Sequence, residues 1–423
     1  MFALYNFLLP LLIAGVRIAS LFDPKIRRGL AGRKRLLEET RKHYAQASIQ
    51  GQRILIHVAS FGELEQAKPV IAAIKAAHPD AHIHLTFFSP SGYENAAGKY
   101  DGADFISYAP LDTRKNVAQF LDVVKPRLAL FTRYDVWPNM ARELKRRKVV
   151  SILFAATAAE SFARQLPIVR TFYRDIFLSL SKILTVSEDD KSRFEAIGLD
   201  PEHIAIAGDT RFDQVFARRL AIEQNGEHFL PDRIRASMDE RGTLVFIIGS
   251  SWPSDEAIFV ETVRQSIERK DNILTIIVPH ETGNERIDAL LAKFPGNAIR
   301  FSALDAWNAE PVIVVDGIGK LFGLYRYADV AMIGGGFGAG LHNILEAAVW
   351  GIPAIVGPKH EKSQEVGELV DRLAAFEIKT KREFDFVFWR LAESEDLRIS
   401  AGKEAARFVE EHRGATERIM SEL

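Results

Sequence analysis

The chain of 423 residues is 47% hydrophobic, which is enough to bury two cores of ordinary size but is long for a single core. Its 55 Lys and Arg residues nearly balance its 56 Asp and Glu residues, so the composition argues against a protein that binds nucleic acid as a whole. The sequence has no cysteine, which excludes disulfide bonds, thiolate chemistry and cysteine-ligated zinc, and leaves the redox compartment undecided.

The amino terminus differs from the rest of the chain. Residues 2–16 are apolar apart from Asn6, and eight Lys or Arg residues follow between Lys25 and Lys42. A spanning helix needs ~20 apolar residues, so this stretch is marginal, and it lacks the small-residue cleavage site of a signal peptide. The basic flank favours the cytoplasmic side of a membrane and attracts anionic lipid. We expect residues 1–24 to form a membrane anchor or interfacial helix; the alternative is a first helix that packs on the body.

From Arg53 onward, apolar strand patterns alternate with helical patterns. One helix is expected to start near Ser60, with Glu63 in its first turn. This alternation predicts a mostly parallel sheet that is covered by helices on both faces. The strands predicted for this part of the chain are 54–58, 82–87, 104–108, 127–131, 149–154 and 181–186, with 204–206 as a further candidate.

A polar stretch at 223–233 precedes a second series of the same kind. The economical interpretation is two doubly wound α/β halves, 25–222 and 234–423, joined by this linker. The last helix, from about Ser394, is expected on the outside and is a candidate to cross back to the first half. Because such sheets bind ligands at the carboxyl ends of their strands, we expect the active site in the cleft between the halves. The predicted strands are 244–248, 274–278, 298–301, 312–315, 330–333 and 354–356.

The segment 334–340 contains five glycines and is followed by a predicted helix from about His342 to Trp350. Glycines let a backbone approach a ligand closely, and a helix start presents free N–H groups to an anion, most often a phosphate. Asn343 and Glu346 are three residues apart, so both are expected on the first turn of this helix and facing one pocket. The alternative is a glycine-rich turn that binds no ligand.

Two loops at predicted strand ends carry candidate acids. Glu63 follows the first strand, where it could act as a general base toward a hydroxyl, although a Glu at this helical position is also an ordinary capping residue. The loop 132–139 combines Arg133 and Asp135 with Trp and Asn, a mixture that is unusual for a loop that only packs.

Three further turns offer contacts for anions. Arg211, in the turn 208–213, either binds an anion or forms a surface ion pair. The turn 249–252 is a candidate to face a phosphate, and His280 is either a nucleotide contact or a structural residue. The sequence has no HExxH motif, no DxD-like pair at a strand end and no P-loop, so it makes no positive case for a catalytic metal.

These loops belong to a longer ordered set of motifs that runs along nearly the whole chain. It comprises the apolar amino terminus with Tyr5 and Pro10, HVASFGE at 57–63, Thr86 with SPSG at 89–92, WPN at 137–139, VSEDD at 186–190, GDTRFD at 208–213, GSS at 249–251, VD at 315–316 with LY at 324–325 and AD at 328–329, GGGF at 334–337 with HNILE at 342–346, and GP at 357–358. In order and spacing this set resembles the 3-deoxy-D-manno-octulosonic acid (Kdo) transferases of lipopolysaccharide assembly.

The resemblance implies a GT-B glycosyltransferase, with two Rossmann-like domains that face a central cleft. The first domain would bind a lipid A precursor as acceptor and the second would bind CMP-Kdo as donor. The implied transfer is inverting, uses no metal or other cofactor, and takes place at the cytoplasmic side of the inner membrane, on anionic lipid. Nucleic acid is not among the implied partners.

The resemblance also implies roles for single residues. Glu63 matches the general base, Asp135 and Arg211 stand at further catalytic positions, and Glu346 would hold the ribose hydroxyls. Three residues would lie on the acceptor side: Ser60, Gly62 and Arg133. The residues that would bind the CMP-sugar are Ser250, Pro279, His280, Ile318, Gly319, Lys320, Gly335, Gly336, Asn343, Ile344, Leu345 and Glu346.

Several positions depart from the family pattern, most of them in the loops expected to bind the donor. Arg133 and Asp135 stand in place of two glutamates, Arg211 in place of a lysine, Pro279-His280-Glu281 in place of Pro-Arg-His, Ile318-Gly319-Lys320 in place of Met-Gly-Glu, and Ala155-Ala156-Thr157 in place of Asn-Ala-Arg. Two alternatives therefore stay open: a related GT-B enzyme that uses a UDP-sugar, as transferase or epimerase, and a membrane scaffold that has kept the fold without the chemistry.

Overall fold

The computed structural model describes residues 1–158, 166–361 and 363–423. The chain divides into two compact units: the first comprises residues 1–214 and 412–423, and the second comprises residues 215–411. The division differs from the expected linker 223–233 because it falls inside one uninterrupted helix, Thr210–Asn225. The short carboxyl-terminal segment belongs to the first unit.

The first unit contains a parallel sheet whose strands are β1 (Arg53–Val58), β2 (His82–Phe87), β3 (Phe105–Tyr108), β4 (Leu128–Thr132), β5 (Val150–Ala156), β6 (Lys182–Thr185) and β7 (Ile204–Ile206). Their spatial order is β3-β2-β1-β4-β5-β6-β7. The helices are α1 (Phe2–Ala19), α2 (Pro24–Arg33), α3 (Leu36–Gln46), α4 (Phe61–Ala77), α5 (Pro90–Ala96), α6 (Arg114–Val124), α7 (Pro138–Arg146), α8 (Pro167–Phe177) and α9 (Glu188–Ala196), with α10 (Thr210–Asn225) leading into the second unit.

The second unit contains another parallel sheet, formed by β8 (Leu244–Ser251), β9 (Ile273–Pro279), β10 (Ala298–Arg300), β11 (Val312–Val314), β12 (Val330–Ile333), β13 (Ala354–Val356) and β14 (Ala375–Glu377). Their order is β10-β11-β9-β8-β12-β13-β14. The helices are α11 (Asp232–Arg241), α12 (Pro253–Glu268), α13 (Asn284–Leu291), α14 (Leu321–Leu324), α15 (Leu345–Ala348), α16 (Gln364–Asp371), α17 (Lys381–Glu393) and α18 (Glu395–Glu411); the last helix, α19 (Ala415–Met420), belongs to the first unit.

The strands are mostly apolar because both faces of each sheet are covered. In β1, Ile54 and Ile56 belong to one buried cluster and Leu55 belongs to another. In β4, Leu130 and Ala129 divide between the same two clusters. Successive side chains of a strand point to opposite faces, so a strand buried on both faces reads as an uninterrupted apolar run. This is why the predicted strands match observed ones.

In each sheet the strand order reverses beside the first strand of the unit. β1 lies between β2 and β4, and β8 lies between β9 and β12. In the first unit, α4 follows β1 and packs in one core cluster, whereas α7 follows β4 and packs in the other. Helices that leave on opposite faces open a crevice at the carboxyl ends of the strands, which is where open α/β sheets bind ligands. We call the crevice of β1 and β4 the first crevice and that of β8 and β12 the second crevice.

Helix α1 is long and apolar enough to cross a membrane by length and composition, and it contacts the first unit along one side. The Tyr5 hydroxyl donates to Asp112 at 2.9 Å, the Asn6 amide donates to Asn139 at 3.1 Å, and Leu9 is buried. Other large apolar side chains of the helix remain exposed, among them Phe7 with 74% of its surface accessible. The helix therefore combines a polar docking side with an apolar outer side.

Candidate active site

The first crevice is built around Glu63, in the first turn of α4 directly after β1. Its side chain is buried, and its Oε2 accepts a hydrogen bond from the Ala59 N–H. The hydroxyl of Thr132, the last residue of β4, donates to the same oxygen at 3.3 Å. The carboxylate is thus held by the strand that precedes it and by the neighbouring strand. Glu63 thus also has the capping role considered from the sequence. In an ordinary capping box the donor would be the N–H of the N-cap residue Ser60, and here it is the N–H of the residue before it.

The surroundings of Glu63 alter its acidity. Burial raises the pKa of the Glu63 carboxyl, the hydrogen bond from Ala59 opposes this rise, and the charge of Asp135 adds to it. Weaker interactions with His57 and Arg133 lower the same pKa. A carboxylate whose pKa is raised toward neutrality is better suited to take a proton from a hydroxyl than an ordinary glutamate.

His57 links the other acid of the crevice to the sheet. Its Nε2 lies 3.1 Å from Asp135 Oδ2, and its Nδ1 lies 3.0 Å from Thr86 Oγ1 on β2. The ring is buried, so its position is fixed by these two partners and by the surrounding strands. Asp135 is therefore an oriented side chain, and the crevice brings it into electrostatic contact with Glu63.

Arg133 stands at the carboxyl end of β4 in the left-handed backbone conformation, with φ of 59°. Its N–H donates to the Phe154 carbonyl at 3.0 Å, and its carbonyl accepts from Thr157 at 3.4 Å, so the end of β5 holds it in place. Ala155, on the same strand, also has a positive φ, of 48°. Such backbone conformations are costly for residues other than glycine and concentrate at functional sites.

Asp112 fixes the loop between Arg133 and α7. Its carboxylate accepts from the backbone N–H groups of Asn139 and Met140, both at 2.9 Å, at the start of α7. Burial raises the pKa of Asp112 to about 6, against the effect of these hydrogen bonds. The same carboxylate binds Tyr5, so α1 and the loop of the crevice share one anchor.

The remaining residues predicted for the first half have simple surroundings. Ser60 immediately precedes α4 and makes no side-chain capping bond. A Cβ at Gly62 would have only Ser60 Oγ within 4 Å, so the space beside this glycine is open. Arg211 lies at the start of α10, where its Nε donates to Asp209 at 2.7 Å. The ion pair that was one alternative for Arg211 is therefore present within its own turn.

In the second crevice the predicted helix after the glycine-rich loop is much shorter than expected. It was predicted from His342 to Trp350, and α15 spans only Leu345–Ala348. The backbone N–H of His342 donates to Gly334 at 3.1 Å, and that of Leu341 donates to Lys359 at 3.1 Å. These bonds close the loop on itself and on the segment after β13, which prevents the helix from starting earlier. The prediction that Asn343 lies on its first turn was wrong.

The N–H groups of the glycine-rich loop also have a partner that the sequence did not suggest. Asp255, in the first turn of α12, accepts from the N–H groups of Gly335 and Trp252, both at 2.8 Å, and lies 3.4 Å from that of Phe337. Its side chain is fully buried, and burial raises its pKa. The Gly335 N–H is therefore not free for a phosphate, because a carboxylate of the chain already binds it.

Three rings form a cluster at the carboxyl ends of β8 and β9. The indole of Trp252 stacks on His280 with ring centres 4.4 Å apart, and His280 lies 4.6 Å from His342. The indole N–H also donates to His342 Nε2 at 3.1 Å, and burial lowers the pKa of His342 to about 4. Beside this cluster, Ser250 is the second-last residue of β8, with φ of 54°, and Pro279 is the last residue of β9.

Other predicted donor residues lie in and after the glycine-rich loop. Asn343 Oδ1 accepts from the Leu345 N–H at 3.2 Å and so caps α15. Glu346 forms an ion pair with Arg218 at 3.2 Å. Ile344 and Leu345 are core residues, so only their backbone groups are available to a ligand. Gly336 uses its carbonyl to accept from the N–H of Lys359.

The triplet Ile318–Lys320 precedes α14. Ile318 is 89% exposed, Gly319 has a φ of 83°, and Lys320 is the residue before the first turn of the helix. An isoleucine with this exposure contributes nothing to the core, so the triplet is a surface loop.

Sequence reasoning gave no role to four residues that shape the two crevices: His57, Asp255, His342 and Arg218. A signal existed for Asp255, which stands three residues after Trp252 at a helix start, the spacing of a capping residue. For the others no local pattern was available, because their partners come from distant parts of the chain.

The chain is similar in sequence to proteins of known activity. Residues 33–214 match the family model described as 3-Deoxy-D-manno-octulosonic-acid transferase (kdotransferase). The 3-deoxy-D-manno-octulosonic acid transferase of Haemophilus influenzae is 24% identical over 420 residues, which cover 98% of this chain and 95% of that protein. The enzyme of the same name from Chlamydophila psittaci is 26% identical over 366 residues, covering 86% of this chain and 82% of that protein.

Solved structures resemble the chain in fold. A UDP-GlcNAc 2-epimerase from Neisseria meningitidis bound to UDP-GlcNAc has a TM-score of 0.59 at 12% identity and covers 87% of this chain and 98% of its own. A glycosyltransferase from Rickettsia africae has a TM-score of 0.56 at 12% identity, covering 88% of this chain and 97% of its own. The expected GT-B type of fold, with two parallel α/β halves, is confirmed.

Proposed function

We propose that this chain, which is similar to the 3-deoxy-D-manno-octulosonic acid (Kdo) transferases over most of its length, is a glycosyltransferase of that family and moves Kdo from CMP-Kdo to a lipid A precursor with inversion at the anomeric carbon. Glu63 is the general base of this reaction. The observation that carries the proposal is the placement of Glu63, a buried carboxylate of raised pKa at the switch point of the first sheet.

The proposed chemistry is a single displacement. The acceptor hydroxyl gives its proton to the Glu63 carboxylate while its oxygen forms a bond to the anomeric carbon of Kdo. The bond from that carbon to the phosphate oxygen breaks, and CMP leaves with the bonding electron pair. His57 supports the reaction indirectly, since it holds Asp135 in the orientation that raises the pKa of Glu63.

The donor is assigned to the second crevice, at the switch point of the second sheet. The stacked rings of Trp252 and His280 present aromatic surface next to the carboxyl ends of β8 and β9, which suits a nucleobase. Because Asp255 already binds the Gly335 N–H, we assign that part of the glycine-rich loop to support of the site rather than to the phosphate. His280 and Lys320, both exposed, are the candidate hydrogen-bond donors to the phosphate.

The acceptor is assigned to the first unit because its lipid would lie at a membrane beside α1. Exposed apolar side chains cover the outer side of that helix, and its docking side is tied to Asp112, which also fixes the loop of the first crevice. We propose that α1 rests in or spans the cytoplasmic leaflet of the inner membrane and so brings the first crevice to the lipid surface.

The test is to incubate the purified full chain with a tetra-acylated lipid A precursor and freshly generated CMP-Kdo, and to weigh the lipid product. A mass gain of one or more Kdo units supports the donor and acceptor together. Glu63→Gln should abolish turnover and leave CMP binding unchanged. Glu65→Gln is the matched control, because Glu65 lies on the same helix and pairs with Lys68 away from the crevice.

An active Glu63→Gln variant would refute the general base. If the wild-type chain adds no Kdo, thermal unfolding distinguishes the two alternative functions, an enzyme that uses a UDP-sugar and a scaffold without chemistry. A ligand that binds only the folded state raises Tm. Stabilisation by UDP and not by CMP would redirect the assignment to a UDP-sugar. Stabilisation by neither nucleotide would favour a scaffold without chemistry.

A further inference from the structure

Arg133 is the charged residue of the first crevice that the proposed reaction leaves without a role. Its side chain is partly buried, and its Nε is buried with no hydrogen-bond partner in the part of the chain that the structure describes. A buried donor without a partner is unfavourable, and native structures seldom keep one without a reason. The unpaired Nε therefore indicates that a bound ligand supplies its hydrogen-bond acceptor.

The backbone at Arg133 adds a second unfavourable feature. With φ of 59°, the position would suit glycine, which adopts this conformation without strain. Bonds to Phe154 on β5 and to Thr157 directly after that strand hold the arginine there. Strain of this kind persists where the surrounding structure enforces it, and it fixes the direction in which the side chain leaves the strand.

The acids of the crevice already have other partners. Glu63 Oε2 accepts from Ala59 and Thr132, and Asp135 Oδ2 lies 3.1 Å from His57. The Arg133 charge acts on Glu63 through space without a direct hydrogen bond. The crevice therefore contains a cation that is close to the base and is not neutralised by contact with it.

We propose that Arg133 binds the carboxylate of the transferred sugar beside Glu63. This inference rests on the proposed function. In an ulosonic acid the carboxylate is bonded directly to the anomeric carbon. The acceptor hydroxyl attacks that carbon while it lies within ~3 Å of the Glu63 carboxylate, so the sugar carboxylate must also come close to Glu63. A guanidinium suits this task because its planar set of donors matches a carboxylate. A phosphate on the acceptor is the other anion that the same cation could bind.

The experiment is steady-state kinetics of Arg133→Gln, Arg133→Lys and Arg133→Gly with CMP-Kdo and two acceptors, one phosphorylated and one with its phosphates removed. Arg127→Gln is the matched control, since Arg127 precedes the same strand at its other end and its side chain is exposed. Loss of charge-assisted hydrogen bonds predicts that kcat/KM for the donor falls roughly 10- to 100-fold in the Gln and Gly variants. Arg133→Lys should retain part of the activity, and Arg127→Gln should match the wild type.

The Gly variant guards against a folding artefact, because glycine fits the left-handed backbone and should keep or raise Tm. The pH profile gives a readout that a merely structural role would not change. Removing the Arg133 charge raises the pKa of Glu63, so the acid limb of kcat/KM should move to higher pH. Arg127→Gln should leave that limb in place.

Each remaining outcome decides the question. A loss that disappears on the acceptor without phosphates would assign Arg133 to an acceptor phosphate and overturn the carboxylate. Gln and Gly variants that behave like Arg127→Gln would overturn the anion site altogether, while wild-type transfer of Kdo would leave the proposed function standing. A wild-type chain that transfers no Kdo would instead remove the proposed function itself.

Discussion

Asp255 connects two loops of the second crevice, and replacing it should disturb both stability and donor binding. Its carboxylate binds the N–H groups of Trp252 and Gly335 at 2.8 Å, in a fully buried position. Asp255→Asn keeps the size of the side chain but leaves only one of its two terminal atoms able to accept. The other becomes an NH₂ group that faces a backbone N–H.

The magnitude follows from these two bonds. A hydrogen bond to a charged group contributes about 1.5–3 kcal/mol. Both bonds go to the same oxygen, Oδ2, so an asparagine oxygen at that position keeps both in neutral form, each contributing about 0.5–1.5 kcal/mol. We therefore expect the free energy of unfolding to fall by about 2–3 kcal/mol. The second unit, residues 215–411, is in the size range where 1 kcal/mol shifts Tm by about 2–4 °C. The expected loss in Tm is then about 5–10 °C.

The assay is calorimetry of the full chain with and without CMP. The control is Asp239→Asn, because Asp239 is exposed on α11 and a substitution at such a site usually changes stability by less than about 0.5 kcal/mol. If Asp255 orders the glycine-rich loop for the donor, the stabilisation by CMP should also shrink. A variant with the Tm and CMP response of the wild type would refute the reasoning that this carboxylate supports the site.

Two further predictions concern pH and salt. Burial lowers the pKa of His84 to about 3, whereas a histidine of the unfolded chain takes up a proton below about pH 6.5. The contribution of His84 to the free energy of unfolding is therefore complete above about pH 6.5 and is lost as the pH falls toward 3. At pH 5 the expected loss is about 2 kcal/mol. Urea unfolding at pH 7.5 and 5 should show this loss in wild type and in the exposed control His78→Gln, and much less of it in His84→Gln; equal losses in all three would exclude His84 as the source. Binding to anionic vesicles through residues 25–42 should weaken as salt rises. Arg33→Gln should change this salt dependence little, because the Arg33 side chain donates to the carbonyls of Phe88 and Ala109. Salt-insensitive binding would instead indicate insertion of α1 alone.

The strands could be predicted from the sequence because each is a local apolar run that is covered on both faces. β14 escaped prediction since its three residues, Ala375–Glu377, end in an exposed glutamate, and so short a pattern is not distinctive. The position of Glu63 could also be predicted, because it depends only on the strand and helix that flank it.

What could not be predicted depends on partners that are distant in the sequence. The late start of α15 is set by bonds from His342 to Gly334 and from Leu341 to Lys359, and no helical propensity reports such bonds. The occupation of Gly335 by Asp255 joins residues 80 positions apart. The left-handed backbone conformation of Arg133 is imposed by the neighbouring strand. It could not be predicted from the sequence, because glycine is the residue that usually indicates such a conformation.

The return of the carboxyl terminus to the first unit has a consequence for the synthesis of the protein. Helix α19 packs on α4, the helix that carries Glu63, and Ile419 joins Ile71 and Ile74 in one core cluster. On the ribosome these last residues emerge after the whole second unit, which can therefore fold while the first unit still lacks a part of its core. A nascent chain would complete the packing around α4 only at termination, so a truncated product that has lost the final helix would be released with an incomplete core in its first unit.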